Sequence, residues 1–153
     1  MVSRERQYDE LSETQKRGQA TEAILKAEFL VRDSPVLSPE YDNEAYDFGI
    51  ELDGQFHKMQ AKTADQYSSG TVRFETVSTR VRSDGYDRAG YDGRIDYFCV
   101  YNPKLDEVYV IDIAEAASGK MEIRFRAPKN NQWNGINWHK EYLLDRFLET
   151  VGE

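Results

Sequence analysis

Asp47, Gln60 and Lys62 are the side chains whose types and spacing first suggest chemistry, because one hairpin brings them together. The stretch from Tyr46 to Lys62 reads YDFGIELDGQFHKMQAK. Tyr46, Phe48, Ile50 and Leu52 alternate with Asp47, Gly49 and Glu51, the period of a half-buried strand. Asp53-Gly54 then forms a two-residue turn of the type I′ kind, which requires positive φ at both positions. With that turn Leu52 faces Gln55, and counting back along both strands sets Phe48 against Met59 and Asp47 against Gln60. Directly opposed residues share a face, so Asp47 and Gln60 stand together with Lys62 diagonally beyond them. Phe48, Met59, Ile50 and His57 fill the other side. An acid, an amide and an amine thus gather at the open end of the hairpin: two oxygen donors beside a cation, over a hydrophobic backing.

Other chemistries find less support. The chain has two histidines, His57 and His139, and one cysteine, so no zinc cluster is expected. There is no Gly-rich phosphate loop of the P-loop or dinucleotide type, and neither histidine sits in a nucleophile setting. Cys99 lies inside the apolar run Tyr97-Phe98-Cys99-Val100-Tyr101 and reads as a small core residue. His57 points to the apolar side of the hairpin, where a satisfied core histidine is expected.

The elements that must hold the hairpin are legible around it. Residues 1–13 are polar and read as a flexible lead-in. From Thr14 to Arg32 the pattern is helical, with Ala20, Ile24, Ala27 and Val31 as the apolar stripe. Glu22 falls on a neighbouring strip with Gly18, Leu25 and Phe29, at the border of the buried face. A polar loop runs from Lys62 to Gly70, then TVRFETVS (residues 71–78) reads as a strand. Residues 79–94 read as a long irregular loop rich in arginine and tyrosine. Arg73 in the strand and Arg80, Arg82, Arg88 and Arg94 in the loop, interleaved with Tyr86 and Tyr91, are the groups that can clamp phosphates and stack on bases or sugars; the alternative is a solvated turn whose arginines pair with Asp84, Asp87 and Asp92. Residues 95–101 and 107–113 form a second strand pair, the first of them apolar enough to be central. Residues 121–126 read as an edge strand, and Asn137 as the cap of a helix from Trp138 to Thr150.

A chain of 153 residues, 39% hydrophobic and 12% aromatic, predicts one globular domain spanning 1–153. No apolar run approaches the roughly 18 residues of a membrane span, and the start carries no signal-like stretch. An intracellular, cytoplasmic protein is the expectation. The net charge of −8 runs against phosphate binding in general. It is unevenly spread: residues 19–70 carry four basic and ten acidic side chains, residues 71–94 five and four.

The order Asp47, hairpin turn, Gln60-Ala61-Lys62 resembles the PD-(D/E)XK nucleases. In particular it is similar to the branch described from group I intron-associated homing endonucleases, in which Gln replaces the second acid. The chain reads Tyr46-Asp47-Phe48 where the family name expects Pro-Asp. The resemblance covers roughly residues 16–145. It includes Arg17-Gly18 followed by Glu22, the segment Gly90-Tyr91-Asp92-Gly93-Arg94-Ile95-Asp96-Tyr97-Phe98, and Asn130-Asn131-Gln132 through Trp138. Archaeal Holliday-junction resolvases are similar over the first part only.

The resemblance implies an α/β fold, a restriction-endonuclease-like core with a central mixed β-sheet flanked by helices. It implies a magnesium-dependent (Mg²⁺, with Mn²⁺ able to substitute) DNA endonuclease hydrolysing phosphodiester bonds in duplex or branched DNA. Asp47, Gln60, Glu22 and the carbonyl of Ala61 would hold the metal; Lys62 would orient the attacking water and stabilise charge on the phosphate. Two active sites for two strands would imply a homodimer or homotetramer. The reading set against it is a DNA-binding or assembly module that kept the fold and lost cleavage.

Overall fold

In the computed structural model the described residues are 2–40, 45–82, 85–90 and 94–151, with the backbone alone for 78–82 and 85–90. The chain opens with helices α1 (Arg4–Glu10) and α2 (Thr14–Leu30) and a two-residue strand β1 (Val36–Leu37). There follow β2 (Phe48–Leu52), β3 (Gln55–Thr63), β4 (Asp65–Ser68), β5 (Thr71–Glu75), β6 (Val77–Arg82) and β7 (Gly85–Gly90). Then come β8 (Tyr97–Asn102), β9 (Glu107–Asp112), β10 (Lys120–Arg124) and helix α3 (Leu144–Val151). Five strands make a mixed sheet in the order β1-β2-β3-β8-β9; β10-β5-β4 make a second sheet, and β6-β7 a separate ribbon.

The β2–β3 hairpin forms with the register its turn dictates. Asp53 and Gly54 adopt φ of 51° and 78°, and pairing runs from Leu52↔Gln55 to Phe48↔Met59. Beyond Met59, β3 outruns β2 and continues parallel to β8, from Met59↔Tyr97 to Thr63↔Tyr101. That long strand is the seam of the molecule, because each of its sides meets a different strand. β8 is covered on both faces, as its apolar run demands. Cys99 and Tyr101 join one core cluster with Leu25, Phe29, Phe48, Ile50 and Met59 under α2. Phe98 and Val100 join the other, with Val72, Phe74, Met121 and Ile123 of the second sheet. The Phe29 ring meets Phe48 edge-on at 5.9 Å, with both fully buried. Each such side chain contributes about 1.5–3 kcal/mol through burial.

Several elements differ from the sequence expectation, each for a local reason. Where a flexible lead-in was expected within residues 1–13, Ser3 caps α1 by accepting from the Arg6 amide, and Tyr8 is buried. The Tyr8 hydroxyl lies 2.7 Å from Thr21 Oγ1, which in turn lies 2.6 Å from Thr63 Oγ1, a line of hydroxyls joining α1, α2 and β3. That line explains why α2 buries Thr21, Leu25 and Phe29, leaving Ala27 and Val31 of the predicted stripe exposed. The expected polar loop after Lys62 contains the short strand β4. The predicted strand 71–78 breaks at Thr76, whose amide donates to the Gly119 carbonyl and whose hydroxyl donates to that of Ala117. The chain then leaves the sheet, and part of the expected irregular loop 79–94 is the β6–β7 ribbon, paired from Val77↔Gly90 to Arg82↔Gly85. Asn137 donates to the Glu122 carbonyl at 2.9 Å instead of capping a helix; a 3-10 turn at His139–Glu141 intervenes, and α3 starts at Leu144. Among the described residues no helix is long and apolar enough to cross a membrane.

Candidate active site

Asp47 stands one residue beyond the β2 ladder. Its amide donates to the Met59 carbonyl at 2.8 Å, one residue short of the Gln60 partner that the register predicts. Its carboxylate Oδ2 accepts from the Ala61 amide at 2.8 Å. A side-chain oxygen therefore takes the place that a further strand residue would have filled beside β3. In an antiparallel ladder the amide and carbonyl of one residue leave the same edge. The Ala61 carbonyl accordingly opens on the Asp47 side.

Gln60 and Lys62 alternate with Met59 and Ala61 along β3. In register they lie beside Phe98 and Val100, on the face of the second sheet, whereas Met59 and Ala61 pack under α2. The Gln60 Oε1 atom is buried and has no hydrogen-bond partner among the described residues. Leaving such an oxygen unsatisfied costs about 1–3 kcal/mol, and the chain bears that cost one position from the Ala61 amide that holds Asp47. Burial is also the chief influence on Asp47, raising its pKa above the ordinary carboxylate value. The Ala61 amide opposes that shift, the Glu22 charge adds to it, and Lys62 and then Lys26 reduce it.

Glu22 thus approaches from α2 closely enough for its charge to act on Asp47. It is held by Lys26 one turn on, at 3.0 Å, and Lys26 also donates to Ser38 Oγ at 3.2 Å. Asp47 thus has the Ala61 amide in contact and the charges of Glu22, Lys62 and Lys26 close enough to act on it, with Gln60 adjoining Ala61 along β3. Lys26 was missed by sequence reasoning, although its i, i+4 spacing from Glu22 is a legible signal. Among the described residues no group of three or more His, Cys, Asp or Glu side chains stands ready for a metal. The donors available here are instead carboxylate, amide and main-chain oxygens, all of the hard type that Mg²⁺ and Mn²⁺ prefer. The buried, unsatisfied Gln60 oxygen fits that use.

The residues expected to hold nucleic acid divide. Arg73 is half-buried in β5, with its guanidinium 4.2 Å from the centre of the Tyr67 ring. Arg94 is half-buried just ahead of β8. Arg80 and Arg82 lie on β6, and Tyr86 and Arg88 on β7, with side chains outside the described set; Tyr91 lies outside the described residues altogether.

The sequence profile of the PD-(D/E)XK endonuclease family matches residues 12–145. Among solved structures, a bacterial homing endonuclease, I-Ssp6803I, is similar with a TM-score of 0.74 and 18% sequence identity, over 92% of this chain and 96% of its own. At that identity the likeness is one of fold. No curated protein sequence matches the chain.

Proposed function

The chain belongs to the PD-(D/E)XK endonuclease family, and from that premise we propose that it hydrolyses phosphodiester bonds of DNA with Mg²⁺ or Mn²⁺ held by Asp47, Gln60, Glu22 and the Ala61 carbonyl. The observation that carries this reading is the buried Gln60 Oε1 with no partner among the described residues, one position from the Ala61 amide that fixes Asp47. When bound, a hard divalent ion supplies positive charge against the phosphate and makes a water more acidic. The protein's own part is positional. The Ala61 amide holds one Asp47 oxygen and leaves the other for the cation. Glu22, steadied by Lys26, adds a second carboxylate and offsets the charge lost by having Gln60 in place of an acid. Lys62 orients the attacking water and steadies the negative charge that builds on the phosphate oxygens. Cutting both strands of a duplex requires two such sites, so the working form is a homodimer or homotetramer.

Labelled duplex and four-way-junction DNA, incubated over a titration of Mg²⁺ or Mn²⁺, test the proposal. Metal-dependent cutting by the unmodified protein, abolished in Lys62→Ala with DNA binding retained, is the expected result. Binding without cutting at every metal concentration refutes it. Paired nicks near the branch point with plain duplex left intact would identify a junction resolvase; duplex cutting would identify a homing-type or site-specific enzyme.

A further inference from the structure

Beside Lys62 the molecule opens into a cleft of about 430 Å³ bounded by α2, β3 and the second sheet. Four elements each contribute a cation to its lining: Arg17 from α2, Lys62 from β3, Arg73 from β5 and Lys120 from β10. Two carboxylates, Asp65 and Glu75, line it as well. In a chain of net charge −8 this is a local reversal of sign. Folding has brought like charges together from four separate stretches, an arrangement that favours an anion between them.

Arg17 keeps one donor unmet, although its guanidinium also lies 5.9 Å from the centre of the Tyr8 ring. Its Nε atom is buried and without a hydrogen-bond partner among the described residues, and its Nη2 reaches Asp65 only at 3.4 Å. Gly18, next along α2, also lines the cleft. A Cβ built there would meet nothing within 4 Å, so contacts with the described residues give no reason for a glycine in mid-helix, where it is a poor helix former. Close approach by something outside the chain does give one.

We propose that this cleft seats the phosphate next to the scissile one on the bound DNA strand, with Arg17 and Lys120 as its principal ligands and Gly18 as the bare helix surface it lies against. The inference rests on the endonuclease reading, since the cleft shares Ala61 and Lys62 with the candidate site and a strand leaving one enters the other. Arg17 exchanges its long contact with Asp65 for a phosphate oxygen, and Arg73 lends charge from the opposite wall.

The test is binding of a 30-base-pair mixed-sequence duplex, followed by anisotropy across a salt series in calcium-containing buffer. Each lost phosphate contact lowers the slope of log affinity against log salt by about 0.9, so Arg17→Gln/Lys120→Gln should lower it by about 2 relative to the unmodified protein. Charge-assisted contacts are strong enough for each single change to weaken binding about tenfold. Gly18→Leu should bind about tenfold more weakly while melting at the same or a higher temperature, which separates obstruction from misfolding. Unchanged slopes in folded charge variants, or a Gly18→Leu protein that binds as the unmodified one does, would overturn the cleft assignment alone. Absence of any DNA binding by the unmodified protein at low salt would instead overturn the endonuclease reading, and this inference with it.

Discussion

Replacing Gln60 by Met should make the protein more stable and, at the same time, blind to metal. Met has nearly the same length and no polar atom to leave unsatisfied. In the native chain the buried Gln60 Oε1 lacks a partner among the described residues, a cost of about 1–3 kcal/mol. A domain of this size gains about 2–4 °C in Tm for each kcal/mol. Gln60→Met should therefore melt about 2–12 °C higher than the unmodified protein in metal-free buffer. Saturating metal works against that advantage. A ligand at 100 times its Kd stabilises a folded protein by about 2.7 kcal/mol, or about 5–11 °C here, and the variant forgoes most of that gain. Differential scanning fluorimetry with EDTA and then with a Mn²⁺ series reads both effects on one plate. A Gln60→Met protein that melts lower without metal, or whose melting rises with Mn²⁺ as the native one does, would refute the reasoning. In either case Gln60 would be an ordinary polar residue of β3.

Three further outcomes follow from the same geometry. Asp47→Asn keeps an oxygen to accept from the Ala61 amide but removes a buried charge. Because the folded-state pKa of Asp47 is raised, its stabilising contribution is complete below the ordinary carboxylate value and is lost as pH rises through the raised one. The metal-free native protein should lose stability across that window while Asp47→Asn does not; parallel pH–Tm curves would count against the raised pKa. The same variant should show no metal-dependent rise in Tm, and an unaltered rise would remove Asp47 from the ligands. Phe29→Ala, which empties the space against Phe48 under α2, should cost about 3–5 kcal/mol in urea unfolding; a loss below 1 kcal/mol would show that α2 does not anchor the sheet.

The hairpin was legible because its information is local. Asp53-Gly54 permits one turn type, and that turn sets every pair from Leu52↔Gln55 to Phe48↔Met59. Counting one pair further failed at Asp47, whose amide returns to the Met59 carbonyl; no neighbouring residue announces where a ladder stops. The buried face of α2 was misread for a different reason. Thr21 looks like a surface residue until Tyr8 and Thr63, 13 and 42 positions away, satisfy its hydroxyl. The β6–β7 ribbon was hidden by arginine, tyrosine and glycine, which suggest a loop by composition whatever their backbone does. Arg17 stood out only as part of the Arg17-Gly18 motif and Lys120 not at all, because their meeting depends on four elements converging, not on spacing within one.

The hydroxyl line from Tyr8 through Thr21 to Thr63 bears on how the protein can be trimmed. A fragment cut to the family-matched span, residues 12–145, would lack Tyr8 and so bare the ring face of Tyr101, which it covers at 5.7 Å. Two threonine hydroxyls would be left to share one bond, the second of them on the residue following Lys62. The same cut would take away Phe147, whose ring sits edge-on to Tyr97 at 4.9 Å. Residues on both sides of the family-matched span thus act as clasps on β8, and a fragment cut to that span would lose both.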